Sequence, residues 1–337
     1  MIKVSKIYII VIGALVFLFS CSGEEECGYQ PSTLPEKVNI EIERLESEIL
    51  GIREMESLIH FTDHNPLITE VFLRRAEYPN DSIFYHDLLS RFKNPHIDSL
   101  RREIEETYSD LSWLENELEE AFTLMKYYYP ETKIPRVQTI ATGFDYDMLV
   151  SDTLIIIGLD YYMGEEARYR PQGIYNYILK RYQQRFIVPS IMLLYGISTE
   201  RNAYKKEDNT ILAEMISYGK AFYFSKRMLP CTPDSTIIWY SSEEMDGLEE
   251  NSPLVWAHFL EKNLLWETSH LVKRKYLDER PKTYEIGEKC PPRIATWVGW
   301  EIVNKFMKDH PEVTLQELMA IEDAKMLFEK SRYKPDF

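Results

Sequence analysis

Val137-Gln-Thr-Ile-Ala-Thr142 and Thr153-Leu-Ile-Ile-Ile157 decide the fold class of this 337-residue chain. Both runs are rich in β-branched residues, which are stiff at χ1 and pack well on a pleated surface, and both are short for buried helices. The polar, glycine-containing stretch 143–152 between them reads as a connection. The two runs are therefore predicted to be strands of one small sheet, paired with each other. The sequence on either side carries helical spacing. The class that follows is α+β, predominantly helical, with a small two- or three-stranded sheet packed among helices.

Towards the N-terminus, Val38, Ile42, Leu45, Ile49, Ile52 and Ile59 recur at three- and four-residue steps, which predicts one amphipathic helix over residues 36–59. Asn65-Pro66 reads as a cap and first helical position, and Asp81 as the cap of a further helix. After Pro95 a long apolar stripe, Ile97 to Met125, ends at Tyr129-Pro130, and a core-facing helix explains it better than a coiled-coil seam. Towards the C-terminus, helices are predicted over residues 174–195 (interrupted at Pro189), 211–229, 235–266 with one break, and 294–307, then two short ones. The Thr314-Leu-Gln-Glu317 capping box places the start of the first of these two. Two regions follow: a helical one over 36–130 and an α+β one over 131–337.

The first residues have their own logic. Met1-Ile-Lys-Val-Ser-Lys6 is a positive segment, the apolar run 7–19 is too short to span a bilayer, and Cys21 and Glu24-Glu-Glu26 follow at once. This predicts a cleaved signal peptide over residues 1–20 and an acidic tether over 21–35. Leu18-Phe19-Ser20-Cys21 resembles a bacterial lipobox, which makes Cys21 the predicted lipidation site and the lipid the membrane anchor. An ordinary signal peptide is the alternative, but the small-residue cleavage pattern is missing. Ser22 resembles the outer-membrane sorting choice. The acidic run resembles the tract of surface-exported lipoproteins in the Bacteroidota, a solvated tether being the alternative.

Composition excludes some functions. The formal charge is −16, and loss of Lys3 and Lys6 with the signal peptide takes it to −18, so nucleic acid and anionic lipid surfaces repel the chain as a whole. With 45% hydrophobic residues the body can bury a real core. Apart from Cys21 and Cys27, the cysteines are Cys231 and Cys290, each beside proline. They are the natural disulfide pair in an exported compartment, with two separate thiols as the alternative. None has C-x-x-C spacing. His60 and His64 stand at metal-ligand spacing, but Phe61 occupies the place of the general-base glutamate of a zinc peptidase. No G-x-S-x-G occurs, and Gly219-Lys220 lacks the rest of a phosphate loop. The aromatic runs at 222–224 and 297–300 fit a buried core better than a glycan platform. No metal and no cofactor is expected.

The segments Met215-Ile-Ser-Tyr-Gly-Lys-Ala-Phe-Tyr-Phe224, Trp256-Ala-His-Phe-Leu-Glu-Lys-Asn-Leu-Leu265, Pro292-Arg-Ile-Ala-Thr-Trp-Val-Gly-Trp300 and Glu329-Lys-Ser-Arg-Tyr-Lys-Pro335 resemble the gliding motility lipoprotein GldB family of the Bacteroidota. The resemblance implies a lipid-anchored envelope protein, at the outer membrane, needed for gliding and tied to type IX secretion. It implies partners among the envelope proteins of that machinery and supplies no catalytic set. A fainter similarity, in the order of strands and helices, is to gluzincin-like zinc peptidases. There Tyr218 stands where the metal-binding glutamate would be, with Glu214 one turn earlier, and residues 174–195 contain no histidine. What this similarity implies is a degenerate zincin-like domain reused for binding. The leading expectation is a non-enzymatic lipoprotein. The alternatives are a peptidase-like hydrolase with a cleft around Asp160, Glu214 and Tyr218, and a glycan-binding surface lipoprotein.

Overall fold

A computed structural model describes residues 34–335. The signal peptide, Cys21 and all but the last residues of the tether lie outside them. In chain order the elements are β1 (Ile42–Arg44), α1 (Glu46–Gly51), α2 (Met55–His64), α3 (Asp81–Phe92), α4 (Pro95–Thr107), α5 (Ser112–Tyr128), β2 (Arg136–Ile140), β3 (Met148–Val150) and β4 (Leu154–Gly158). There follow α6 (Asn176–Leu179), α7 (Ile187–Ile197), α8 (Ile211–Met228), α9 (Asp234–Ile238), α10 (Ser242–Glu261), α11 (His270–Leu277), α12 (Ile294–Asp309), α13 (Leu315–Ala320) and α14 (Ala324–Ser331). The architecture is α+β and mostly helical.

The sheet has four strands in the order β1-β2-β4-β3. The two runs that decide the class are neighbours, β2 and β4, and they are parallel. A parallel pair needs a return path. Here β3 provides it, pairing antiparallel on the far side of β4. Ile140, Ile155, Ile156 and Ile157 are fully buried, which explains why these strands read as apolar runs rather than as alternations.

The single helix expected over 36–59 does not form. Residues 38–41 run extended into β1, which pairs parallel with β2, and helix begins only at Glu46. Val38, Ile40 and Ile42 alternate, a period-two signal hidden inside apparent helical spacing. The outer edge of this segment is closed by a helix. Val38 N–H donates to Thr123 Oγ1 (3.1 Å), Ile40 N–H to Glu119 Oε1 (3.1 Å) and Ile42 N–H to Glu115 Oε1 (3.2 Å). Four residues of helix advance about 6 Å and two residues of strand about 6.6 Å, so one face of α5 matches the spacing of a strand edge. Edge donors that would recruit a foreign strand are satisfied internally.

Other boundaries moved for local reasons. The stripe after Pro95 is two helices, with Asp110 receiving the Ser112 N–H at the junction. Asn80, not Asp81, caps α3 through the Ile83 N–H. Pro189 lies in the first turn of α7, where it interrupts nothing. Asn65 is the C-cap of α2, and a π-helical turn over Ile68–Phe72 follows it. The Thr314–Glu317 capping box is present as expected.

The core is centred on α8 and α12, which touch backbone to backbone. A Cβ on Gly299 would sit 1.9 Å from Met215 O, and one on Gly219 2.3 Å from Gly299 O. Beside the crossing, Lys220 is buried with its Nζ donating to Ala203 O (2.7 Å), Ile321 O (2.7 Å) and Met319 O (3.4 Å). The ammonium thus sits on the carbonyls at the end of α13, the negative end of a helix. Burial still pulls its pKa down, to about 8.

Candidate functional site

A cleft of about 1130 Å³ opens between the chain around α6, the start of α10 and the loop 281–292. Its construction is local. Trp239 takes a left-handed conformation (φ 64°) that ends α9, and Ser241 and Glu244 form a capping box that starts α10 immediately afterwards. The loop is clamped by Thr283, whose N–H donates to Cys290 O (2.9 Å) and whose hydroxyl donates to Pro291 O (2.7 Å). Tyr240 OH donates to Pro292 O (2.5 Å) and ties the loop to the end of α9. Phe186, Trp239, Leu248, Leu254, Val255 and Ile286 give the cleft apolar lining.

Charge is arranged by wall. Lys180 and Arg185 stand on one side, and Glu243, Asp246 and Glu250 of α10 are also lining residues. None of these five has an ion pair among the described residues. Lys282 Nζ meets Glu244 Oε1 at 2.9 Å and bridges the loop to α10. Arg181 belongs to a deeper cluster: it meets Glu279 Oε1 at 2.5 Å, and the buried Arg293 Nε lies 3.0 Å from the same oxygen. Both guanidinium groups lie over Trp239, at 5.3 and 5.1 Å from its ring centre. Burial pushes the Glu279 carboxyl up, but the Arg181 hydrogen bond and the two positive charges outweigh it and hold it ionised. Burial pulls the Arg293 pKa down, helped by Arg181.

The three cleft candidates from the sequence divide. Tyr218 lies beside this cluster, its pKa raised by burial while the charge of Arg293 lowers it. Glu214, one turn earlier on α8, is ion-paired with the buried Lys273 of α11. Asp160 is built into the sheet end instead. Its Oδ2 accepts the N–H groups of Thr142 (3.1 Å), Gly143 (2.9 Å) and Phe144 (2.8 Å), so a carboxylate fills the nest after β2. It is fully buried, and burial raises its pKa to about 6 against those donors.

The Cys231–Cys290 disulfide does not form. Cys290 is a free buried thiol on the cleft wall. Proline flanks and loop placement suit a disulfide but do not bring two Cα atoms together. His60 and His64 share a face of α2 with rings stacked 4.1 Å apart. No three His, Cys, Asp or Glu side chains are grouped to hold a metal ion among the described residues. Phe222, Phe224, Trp297 and Trp300 are core residues. Arg181, Glu279, Arg293 and Trp239 were not legible as a group, since they come from four separate segments. The Pro291-Pro292-Arg293 run, which opens α12 on a left-handed residue (φ 53°), was the available signal.

Residues 26–335 match the family described as gliding motility protein GldB. The chain belongs to the GldB family. That match covers both predicted regions of the body. No curated protein and no solved structure matches the chain. Membership makes this a gliding motility-associated lipoprotein of the cell envelope. Among the described residues no helix is long and apolar enough to cross a membrane.

Proposed function

We propose that this GldB-family protein is a non-catalytic adaptor of the gliding machinery and of type IX secretion, anchored at the outer membrane by lipid on Cys21, and that its cleft receives a polypeptide segment of an envelope partner. The observation that carries this reading is the cleft: about 1130 Å³, lined by apolar side chains together with cations and acids that have no ion pair among the described residues. Such a surface suits an extended polypeptide, which brings apolar contact and both signs of charge. Its polar groups are positioned for binding rather than for bond-breaking. Burial pushes the Cys290 thiol up to about 12, so it is not a thiolate at neutral pH, and the Tyr240 hydroxyl is committed to Pro292 O. The same two features weigh against the peptidase-like alternative.

A photo-crosslinking residue at position 254 tests the reading, because Leu254 lies in the cleft and is 65% exposed. In gliding cells it should capture a discrete envelope polypeptide. Asp246→Lys with Glu250→Lys should abolish that product and slow spreading while leaving the protein level unchanged. Normal gliding and an unchanged crosslink in that double variant would sink the proposal. A glycan reading has one observation of its own, the exposed Tyr175 stacked on Tyr177 (5.5 Å, 12°) at the cleft mouth. It predicts that soluble glycans alter tryptophan emission and that Tyr175→Ala removes the effect.

A further inference from the structure

From the far end of α10 we infer a second, membrane-contacting surface: the corner between α10 and α11, where Leu260, Trp266 and Leu271 dip into the interface of a phospholipid bilayer. These three side chains are 52, 43 and 74% exposed within twelve residues of chain. The corner is held open by its backbone rather than by looseness. Asn263 takes a left-handed conformation (φ 52°) after α10, and Leu264 and Leu265 are buried, which turns Trp266 outward. Glu267 Oε1 then accepts the N–H groups of Thr268 (2.8 Å) and Ser269 (2.7 Å), so this acid is spent inside the turn.

Cations and acids are mixed at the corner. Lys262 and Lys275 are exposed and have no ion pair among the described residues, and Arg274 is exposed beside its partner Asp278. Lys325 of α14 lies 5.7 Å from the Trp266 ring centre. Glu261 and Glu322 are exposed acids without an ion pair among the described residues, and Lys325 is itself ion-paired with Glu329 (3.8 Å). A tryptophan carrying an ammonium group, flanked by leucines and further cations, has the composition of a side-chain set that lodges at the headgroup level.

The inference rests on the lipid anchor at Cys21. The thirteen residues from Cys21 to Leu34 reach at most about 45 Å, which keeps the body beside the bilayer, so that a weak contact is populated. The test uses the mature lipidated chain in phosphatidylethanolamine–phosphatidylglycerol vesicles with brominated acyl chains. Flotation reports the anchor, and bromine quenching of tryptophan emission reports the corner. Quenching is expected in the wild type and should be lost in Trp266→Phe, which removes the reporter. It should fall at least twofold in Leu260→Ser with Leu271→Ser at unchanged thermal midpoint, both positions being exposed. A chain that floats unquenched, or stays quenched in Trp266→Phe, overturns the inference and gives the corner to a protein partner. A chain that does not float overturns the anchor first, and the inference with it.

Discussion

At the scale of single residues, the buried ionisable groups are structural, and their titration says so. Asp160 has a native pKa of about 6 against 3.8, so the folded state binds the proton more tightly than the unfolded chain. The stability this group contributes is therefore fully present below about pH 4 and is lost as pH rises through 6. Asp160→Asn keeps an oxygen for the three N–H donors and removes the titration. Denaturant unfolding at pH 4 and pH 7 should show the variant gaining about 2 kcal/mol on the wild type between them, since at pH 4 the unfolded chain has already begun to ionise. Parallel pH profiles would mean that the nest keeps the carboxylate ionised throughout. The sequence offers Asp160 as a cleft residue of the peptidase-like alternative. Its role as the plug of its own sheet end was not legible, because the nest it fills is made of backbone.

Between elements, the close contacts decide what can be substituted. On α12, Gly299→Ala places a methyl group 1.9 Å from Met215 O of α8, and backbone cannot step aside as a side-chain tip can. The two helices must separate, and a loss of about 3 kcal/mol or more is expected in chemical denaturation. Gly247→Ala on α10 is the counterpart, because its methyl group meets nothing within 4 Å. It should stabilise by about 0.5–1 kcal/mol through helix propensity alone. Equal effects of the two would contradict the packing described. The strand ladder has its own signature: Glu119→Ala should speed hydrogen exchange at Ile40, whose N–H donates to Glu119 Oε1. These contacts also explain where the sequence misled. The β-branched runs of β2 and β4 announce themselves, whereas β1 is three residues long and pairs with residues more than ninety positions away. With Ile42, Leu45, Ile49 and Ile52 also at helical steps, local spacing alone favoured the wrong element.

On the scale of the whole molecule, α10 joins the two surfaces that remain unexplained by packing. Its first half lines the cleft and its last residues lead into the exposed corner, and twenty residues of helix are about 30 Å long. Neither surface was legible beforehand, since the cleft is assembled from segments between residues 165 and 292, and exposure cannot be read from an amphipathic pattern that also contains core leucines. If the corner faces lipid and the cleft faces a partner, lesions in the two must separate. Lys180→Glu with Arg185→Glu should abolish the position-254 crosslink and leave bromine quenching of Trp266 at the wild-type level. Leu260→Ser with Leu271→Ser should do the reverse, lowering quenching while a partner peptide supplied in solution still crosslinks. A third chain carrying all four changes should show both losses without a further drop in thermal midpoint, since sites this far apart with no shared contacts add. Loss of both readouts from either pair alone would instead mean that membrane contact and partner capture depend on one another, and that α10 carries a conformational change between its ends.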